Sequence, residues 1–215
     1  MSLSFSVAQV DDPAEIEKGR KLFAGQTEFV KGVVAMDGLP PGDRVEVCFA
    51  GRSNVGKSSL INALTRHKGL ARASNTPGRT QEINFFSLAD RYLVDLPGYG
   101  FANAPVAVVE KWQRLLKAYL SGRVNLRRAF VLIDARHGVK PVDEEIMSLL
   151  DASAVTFQAV LTKVDKNKPG QTDKILAQVR GKLSKHPAAF PELVLTSSEK
   201  GDGIPELRAI IAGLD

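Results

Sequence analysis

Cysteine is almost absent: of 215 residues only Cys48 is one, so no disulfide forms within the chain and a stapled secreted scaffold is excluded. Histidine is scarce as well. His67, His137 and His186 are scattered without metal-ligand spacing, and with no cysteine or histidine partner nearby a zinc site is not expected. No stretch approaches the roughly 18 apolar residues of a membrane span, and residues 1–7 have neither a basic segment nor a long apolar core. A cytoplasmic protein, or one peripheral to a membrane, is expected. Internal repeats, low-complexity tracts and an interior linker are also missing. That leaves one main domain for a chain that is 44 % hydrophobic and 25 % charged.

What is there begins with Gly51-Arg52-Ser53-Asn54-Val55-Gly56-Lys57-Ser58-Ser59. A glycine, four residues, Gly-Lys and a serine is the spacing of a phosphate-binding loop. The apolar run at 45–50 reads as a strand and 58–64 as a helix, which is the context that spacing needs. The glycines let the backbone curl so that several N–H groups face one phosphate, and the helix N-terminus adds positive potential there. Lys57 can reach the outer phosphates, and the Ser58 hydroxyl can ligate the magnesium that travels with a triphosphate.

Residues 1–43 read as an N-terminal extension, a helix and an edge strand packed on a main domain at 44–215. Asp12 and Pro13 suit the cap and first position of that helix, with Ile16, Leu22 and Phe23 docking one face, and 28–35 reads as the strand. Residues 67–80 are polar, lack hydrophobic periodicity and read as a mobile loop. A hairpin is expected at 83–88 and 92–95, then strands at 129–134, 155–161 and 193–195, with helices at 106–120, 141–150, 172–183 and 205–211. Strand runs apolar nearly throughout, each followed by a helix, predict an α/β fold with a mostly parallel central sheet and helices on both faces.

In such a sheet ligands sit beyond the carboxyl ends of the strands, and every further motif falls there. Asp95-Leu96-Pro97-Gly98 offers an aspartate to hold magnesium through water and a glycine N–H for a terminal phosphate; acidic strand ends before glycine turns are also common without any ligand. Thr162-Lys163-Val164-Asp165 suits a guanine, whose ring N1–H and exocyclic amine would donate to Asp165 while the Lys163 stem lies over the ring. Taken alone, the same tetrapeptide is more often a helix-capping turn. Thr196-Ser197-Ser198 after the last strand can offer backbone N–H groups to the guanine O6.

In that order, with Thr76-Pro77-Gly78-Arg79-Thr80-Gln81 between the first and second and Tyr99-Gly100 after Asp95–Gly98, the motifs resemble those of the EngB (YihA/YsxC) GTPases of bacteria, in the TrmE-Era-EngA-YihA-septin-like superfamily. The likeness runs from about Val45 to the C-terminus. It implies the phosphate-loop GTPase (G-domain) fold, with GTP and GDP held by residues 51–59, Gly78, Arg79, Thr80, Gln81, Glu82, 95–98, 162–165 and 196–198. It also assigns Thr80 as the switch threonine, joining Ser58 and Asp95 around Mg2+; position alone does not choose Thr80 over Thr76. The implied role is a switch in assembly of the large ribosomal subunit, monomeric and needed for normal cell division.

Many GTPases place a water-orienting glutamine right after Asp-x-x-Gly. Here that position is Tyr99, so slow intrinsic hydrolysis is expected, completed by a group from elsewhere. The sources left open are a K+ ion held against the phosphates by the Asn54 amide, a partner surface, and Arg72 or Arg79; Asn54 is as readily a turn-stabilising side chain. Net charge is +5, and from Lys111 to Arg128 the chain carries Lys111, Arg114, Lys117, Arg123, Arg127 and Arg128 with no acid, and with Trp112 and Tyr119 among them. This stretch is either a solvated helix face or a contact for ribosomal RNA. A GTP-gated binder of the division machinery, with hydrolysis incidental, is the competing function; an ATPase or small-molecule kinase would require Thr162–Asp165 to be accidental.

Overall fold

In chain order the elements are β1 (Ser6–Val7), α1 (Pro13–Leu22), β2 (Thr27–Val33), β3 (Val45–Gly51), α2 (Lys57–Thr65), β4 (Ile83–Leu88), β5 (Arg91–Asp95), α3 (Val106–Gly122), β6 (Leu126–Asp134), α4 (Pro141–Ala152), β7 (Phe157–Thr162), α5 (Gln171–Leu183), β8 (Glu192–Leu195) and α6 (Ile204–Ala212). The computed structural model describes residues 4–71, 82–99 and 106–215. Among them the strands form one sheet in the order β1-β8-β7-β6-β3-β5-β4-β2. The pairs from β1 to β5 are parallel, and β4 and β2 add on antiparallel.

Alternation along the central strands explains why they are apolar throughout. Val47 and Phe49 of β3, Phe130 and Leu132 of β6 and Val160 of β7 enter one core layer, with Leu60, Ile61 and Leu64 of α2 and Leu207 and Ile211 of α6. Their neighbours Cys48, Ala50, Val131, Ile133, Ala159 and Leu161 enter the other, under α3, α4 and α5. A strand with helices on both sides has no wet face on which to place polar residues. Cys48 is buried as expected, and burial, with Glu46 adding to it, pushes its thiol far up, so it is inert at neutral pH.

The first 33 residues supply both edges of the sheet: β1 pairs with β8 and β2 with β4. No strand is expected at Ser6–Val7, because two residues carry no period to detect. The helix between them begins as expected, with the Ala14 N–H donating to the Asp12 carboxylate at 2.8 Å and Pro13 in the first turn. It meets α6 at backbone distance. A Cβ on Gly19 would stand 2.6 Å from the Ala209 nitrogen, so only glycine permits the contact.

Much of the basic excess is internal. Arg208 of α6 donates from Nε to the Leu64 carbonyl at 2.9 Å and from Nη2 to that of Ala63 at 2.8 Å, and so caps the C-terminus of α2 with a cation. Arg91 does the same for α6 through the Ile211 carbonyl at 2.6 Å. Arg123 closes on buried Glu46, to which Tyr119 also donates at 3.0 Å, and Arg128 lies 3.9 Å over the Phe190 ring.

Replacing Arg208 with Met keeps the packing length and takes the Arg208 donors from the buried Leu64 carbonyl and the part-buried Ala63 carbonyl. We expect a loss of about 1–3 kcal/mol in urea unfolding with no change of fold by circular dichroism.

Candidate functional site

The phosphate loop joins β3 to α2 and needs two left-handed residues, Gly56 at φ 106° and Asn54 at φ 64°. Its start is equally constrained. A Cβ on Gly51 would come within 2.7 Å of Val55 Cγ1, whose side chain is buried in the core layer under α2. Within the loop the Val55 N–H donates to the Arg52 carbonyl at 3.1 Å, and Leu60 N–H to the Gly56 carbonyl at 2.8 Å begins the helix.

Asp95 ends β5 in register with Phe49 of the adjacent β3, just ahead of the loop. The Lys57 ammonium donates to its carboxylate, and both side chains are nearly buried. Phosphate-loop lysine and strand-end aspartate therefore face one space, at the first turn that also carries Ser58. Gly98 lies against the loop, where a Cβ would be 3.3 Å from Ser53 Oγ. Leu96 and Pro97 are buried, so they hold the turn by packing and have no exposed group for a ligand.

The Thr-Lys-x-Asp segment grips the same loop from the far side. Thr162 Oγ1 donates to the Val55 carbonyl at 2.6 Å, and Lys163, at φ 61°, donates to the Asn54 carbonyl at 2.6 Å. Lys163 is itself held by Asp134 at 3.1 Å, whose carboxylate also takes the Arg136 guanidinium at 2.7 Å and backbone N–H at 3.0 Å. Burial pushes the Asp134 carboxyl up, but Arg136 and Lys163 outweigh it and the group titrates well below the usual range. Val164 packs against the core.

Asp165 has a side chain only 6 % exposed, and its Oδ2 makes no hydrogen bond among the described residues. The Lys166 ammonium is 3.1 Å away as an ion pair, and the Ser197 hydroxyl with Lys166 holds the carboxyl below its ordinary value against burial. A buried acceptor without a donor is costly unless a ligand supplies one. Asp165 opens onto a cavity of about 580 Å³ whose lining includes Gly56, Ser59, Lys163, Asp165 and Ser198.

The last motif narrows. The Thr196 N–H is taken by the Leu161 carbonyl at 2.7 Å and that of Ser197 by the Asp202 carbonyl at 2.9 Å, so among the three only the Ser198 N–H is uncommitted within the described residues. Thr196 and Ser197 are fully buried supports. Glu82 is exposed beside Gly32 of β2. Arg72, Thr76, Gly78, Arg79, Thr80 and Gln81 lie outside the described residues.

Two groups escaped the sequence reading. Asp134 looks like a strand terminus and Asp143 like a first-turn helix acid, yet the first orients Lys163 and the second receives Tyr99 and Arg52. Tyr99 is buried, its hydroxyl donating to Asp143 at 3.0 Å, and the Arg52 side chain turns to the same carboxylate, which leaves only its backbone for a phosphate. The basic stretch divides: Lys111, Arg114 and Lys117 are exposed along α3, whereas Trp112 and Tyr119 are buried on its other face and cannot stack on bases.

Residues 46–163 match a family described as 50S ribosome-binding GTPase. Over the full length of both chains, the protein is 76 % identical to a probable GTP-binding protein EngB of Ruegeria sp. (strain TM1040). It is 77 % identical, again over the whole of both chains, to the protein of that name from Roseobacter denitrificans. Among solved structures it is similar to a crystal structure of a probable GTP-binding protein EngB, with a TM-score of 0.62 and 26 % identity, covering 78 % of this chain and 98 % of that one.

At neutral pH Asp134→Asn should lower stability by about 1–3 kcal/mol, because charged donors lose their anionic partner and one of its two acceptor oxygens. Since the Asp134 pKa is depressed on folding, its contribution is full above the unfolded value near 4 and is lost as pH falls from there through the folded one, so the gap between variant and wild type should narrow steadily below about pH 4. Urea midpoints measured from pH 7 to pH 3 check this; a gap independent of pH would remove the charge from the account.

Proposed function

This chain belongs to the EngB family of GTP-binding proteins, and from that premise we propose that it is a magnesium-dependent switch that binds GTP, hydrolyses it slowly to GDP and acts in assembly of the large ribosomal subunit. The observation that carries the guanine reading is Asp165, a carboxylate that lines the cavity beside the Lys163 stem, whose Oδ2 is ion-paired with Lys166 but accepts no hydrogen bond among the described residues. Guanine supplies two donors to it. Adenine would set an acceptor against it, at a cost of about 2 kcal/mol or more.

In this mechanism the loop amides and Lys57 bind and orient the β- and γ-phosphates, and the Gly98 N–H approaches the γ-phosphate from the other side. No cluster of three or more His, Cys, Asp or Glu among the described residues could hold a metal alone. Asp95, beside Lys57 at the first turn of α2 that also carries Ser58, would hold with Ser58 a magnesium ion taking its other ligands from phosphate and water. Such an ion would neutralise charge on the outer phosphates, and Thr80 would join it, as the resemblance implies. Slow turnover is supported by Tyr99, whose hydroxyl is committed to Asp143 and so does not orient an attacking water. The completing group then comes from the docked particle or from K+ held by Asn54.

The partner reading is supported by the family's ribosome-binding description and by the exposed Lys111, Arg114 and Lys117, a basic row at one-turn spacing on α3. No helix among the described residues is long and apolar enough to cross a membrane.

Asp165→Asn should weaken GDP and GTP binding at least about thirtyfold in fluorescent-nucleotide titrations, and favour xanthosine triphosphate, whose C2 carbonyl accepts from the new amide. An unchanged affinity for GDP would refute the guanine reading. On salt-controlled gradients with a non-hydrolysable GTP analogue, the wild type should travel with the large ribosomal subunit, and reversal of Lys111, Arg114 and Lys117 to Glu should abolish this while GTP affinity stays the same. Co-migration that survives the reversal would move the RNA contact elsewhere.

A further inference from the structure

Outside the lining of the cavity, three separate parts of the chain meet at one carboxylate. Asp143, at the third position of α4 and fully buried, takes Arg52 Nε at 3.2 and 3.1 Å on its two oxygens, the Tyr99 hydroxyl at 3.0 Å and the Lys140 N–H at 2.9 Å. Arg52 is the second residue of the phosphate loop and Tyr99 the first after Asp-x-x-Gly. Their backbones are strapped together too. The Ser53 N–H donates to the Tyr99 carbonyl at 3.1 Å, and the Tyr99 N–H to the Gly51 carbonyl at 3.4 Å.

Burial and the neighbouring carboxylate hold the Tyr99 hydroxyl well above its ordinary pKa, so it remains a donor across the physiological range. Burial pushes the Asp143 carboxyl up, while the Lys140 N–H, Arg52 and Tyr99 act the other way. A buried carboxylate of this kind holds its donors tightly, because moving one away leaves charge uncompensated. Gly98 directly precedes Tyr99 and lies against Ser53, so its position relative to the loop follows from where Tyr99 is tied.

We propose that Asp143 is a positioning residue for the γ-phosphate: through Tyr99 and Arg52 it fixes the Gly98 N–H against the phosphate loop, and thereby sets the preference for GTP over GDP. The inference rests on the GTP-switch reading above. It separates the two nucleotides because GDP needs the loop but has no γ-phosphate to meet Gly98. Releasing Tyr99 therefore acts on the triphosphate alone, whereas releasing Arg52 disturbs the loop that both nucleotides use.

The test is a set of affinities for GDP and a non-hydrolysable GTP analogue, with melting temperatures, for wild type, Tyr99→Phe, Asp143→Asn and the double variant. Tyr99→Phe should weaken the analogue about threefold or more while GDP stays within about twofold, and the double variant should be no worse than Asp143→Asn, as coupled groups require. Equal losses for both nucleotides, or a lower melting temperature with the affinity ratio unchanged, would mean packing only and overturn the proposal. Should Asp143→Asn fail to fold, Tyr99→Phe decides alone. A wild type that binds GDP and analogue but shows no effect in Tyr99→Phe sinks this inference and leaves the switch reading standing; a wild type that binds neither overturns both.

Discussion

A loop whose amides must face an anion can spend few of those amides on holding itself together. That constraint organises this structure. Between Gly51 and Gly56, Ser53 and Val55 give their N–H groups to the Tyr99 and Arg52 carbonyls, and the other supports act through carbonyls and side chains, with Val55 held by the Thr162 hydroxyl, Asn54 by the Lys163 ammonium, and Arg52 by Asp143. Its apolar residue, Val55, is sunk into the core. Thr162 and Lys163 stand at the end of β7 and Asp143 at the start of α4, which is why the sheet must exist before the loop has a shape.

The same division of labour runs through the guanine side. Thr196 and Ser197 spend their amides on Leu161 and Asp202, and Asp134 spends its carboxylate on Lys163 and Arg136, so that among the described residues the Ser198 amide stays uncommitted and the Asp165 Oδ2 has only the Lys166 ion pair. Groups that touch a ligand are few; the groups that prevent them from collapsing onto one another are more numerous.

This explains how far the sequence could be read. Strands β3, β6 and β7 announce themselves because both faces are apolar, and the phosphate loop, Asp95–Gly98 and Thr162–Asp165 are local patterns whose chemistry lies within a few residues. Supports act across long chain separations and leave no local trace. Asp143 lies 91 residues from Arg52, and at its own place it is an ordinary first-turn acid. The basic run of 111–128 misleads for the opposite reason, since composition cannot distinguish Arg123, locked on buried Glu46, from Lys117 on the surface. Two-residue β1 falls below any periodicity.

The position of β1 and α1 reaches beyond the folded state. These residues are made before the rest of the sheet, yet β1 has its partner in β8 and α1 has its close backbone contact in α6, more than 180 residues further along. Loop-closure entropy on that scale is met only when nearly the whole chain exists. During synthesis the opening segment must wait, with Phe5 and Phe23, both buried in the finished protein, still exposed to solvent. Its docking is thus a late event, tied to the appearance of β8 and α6.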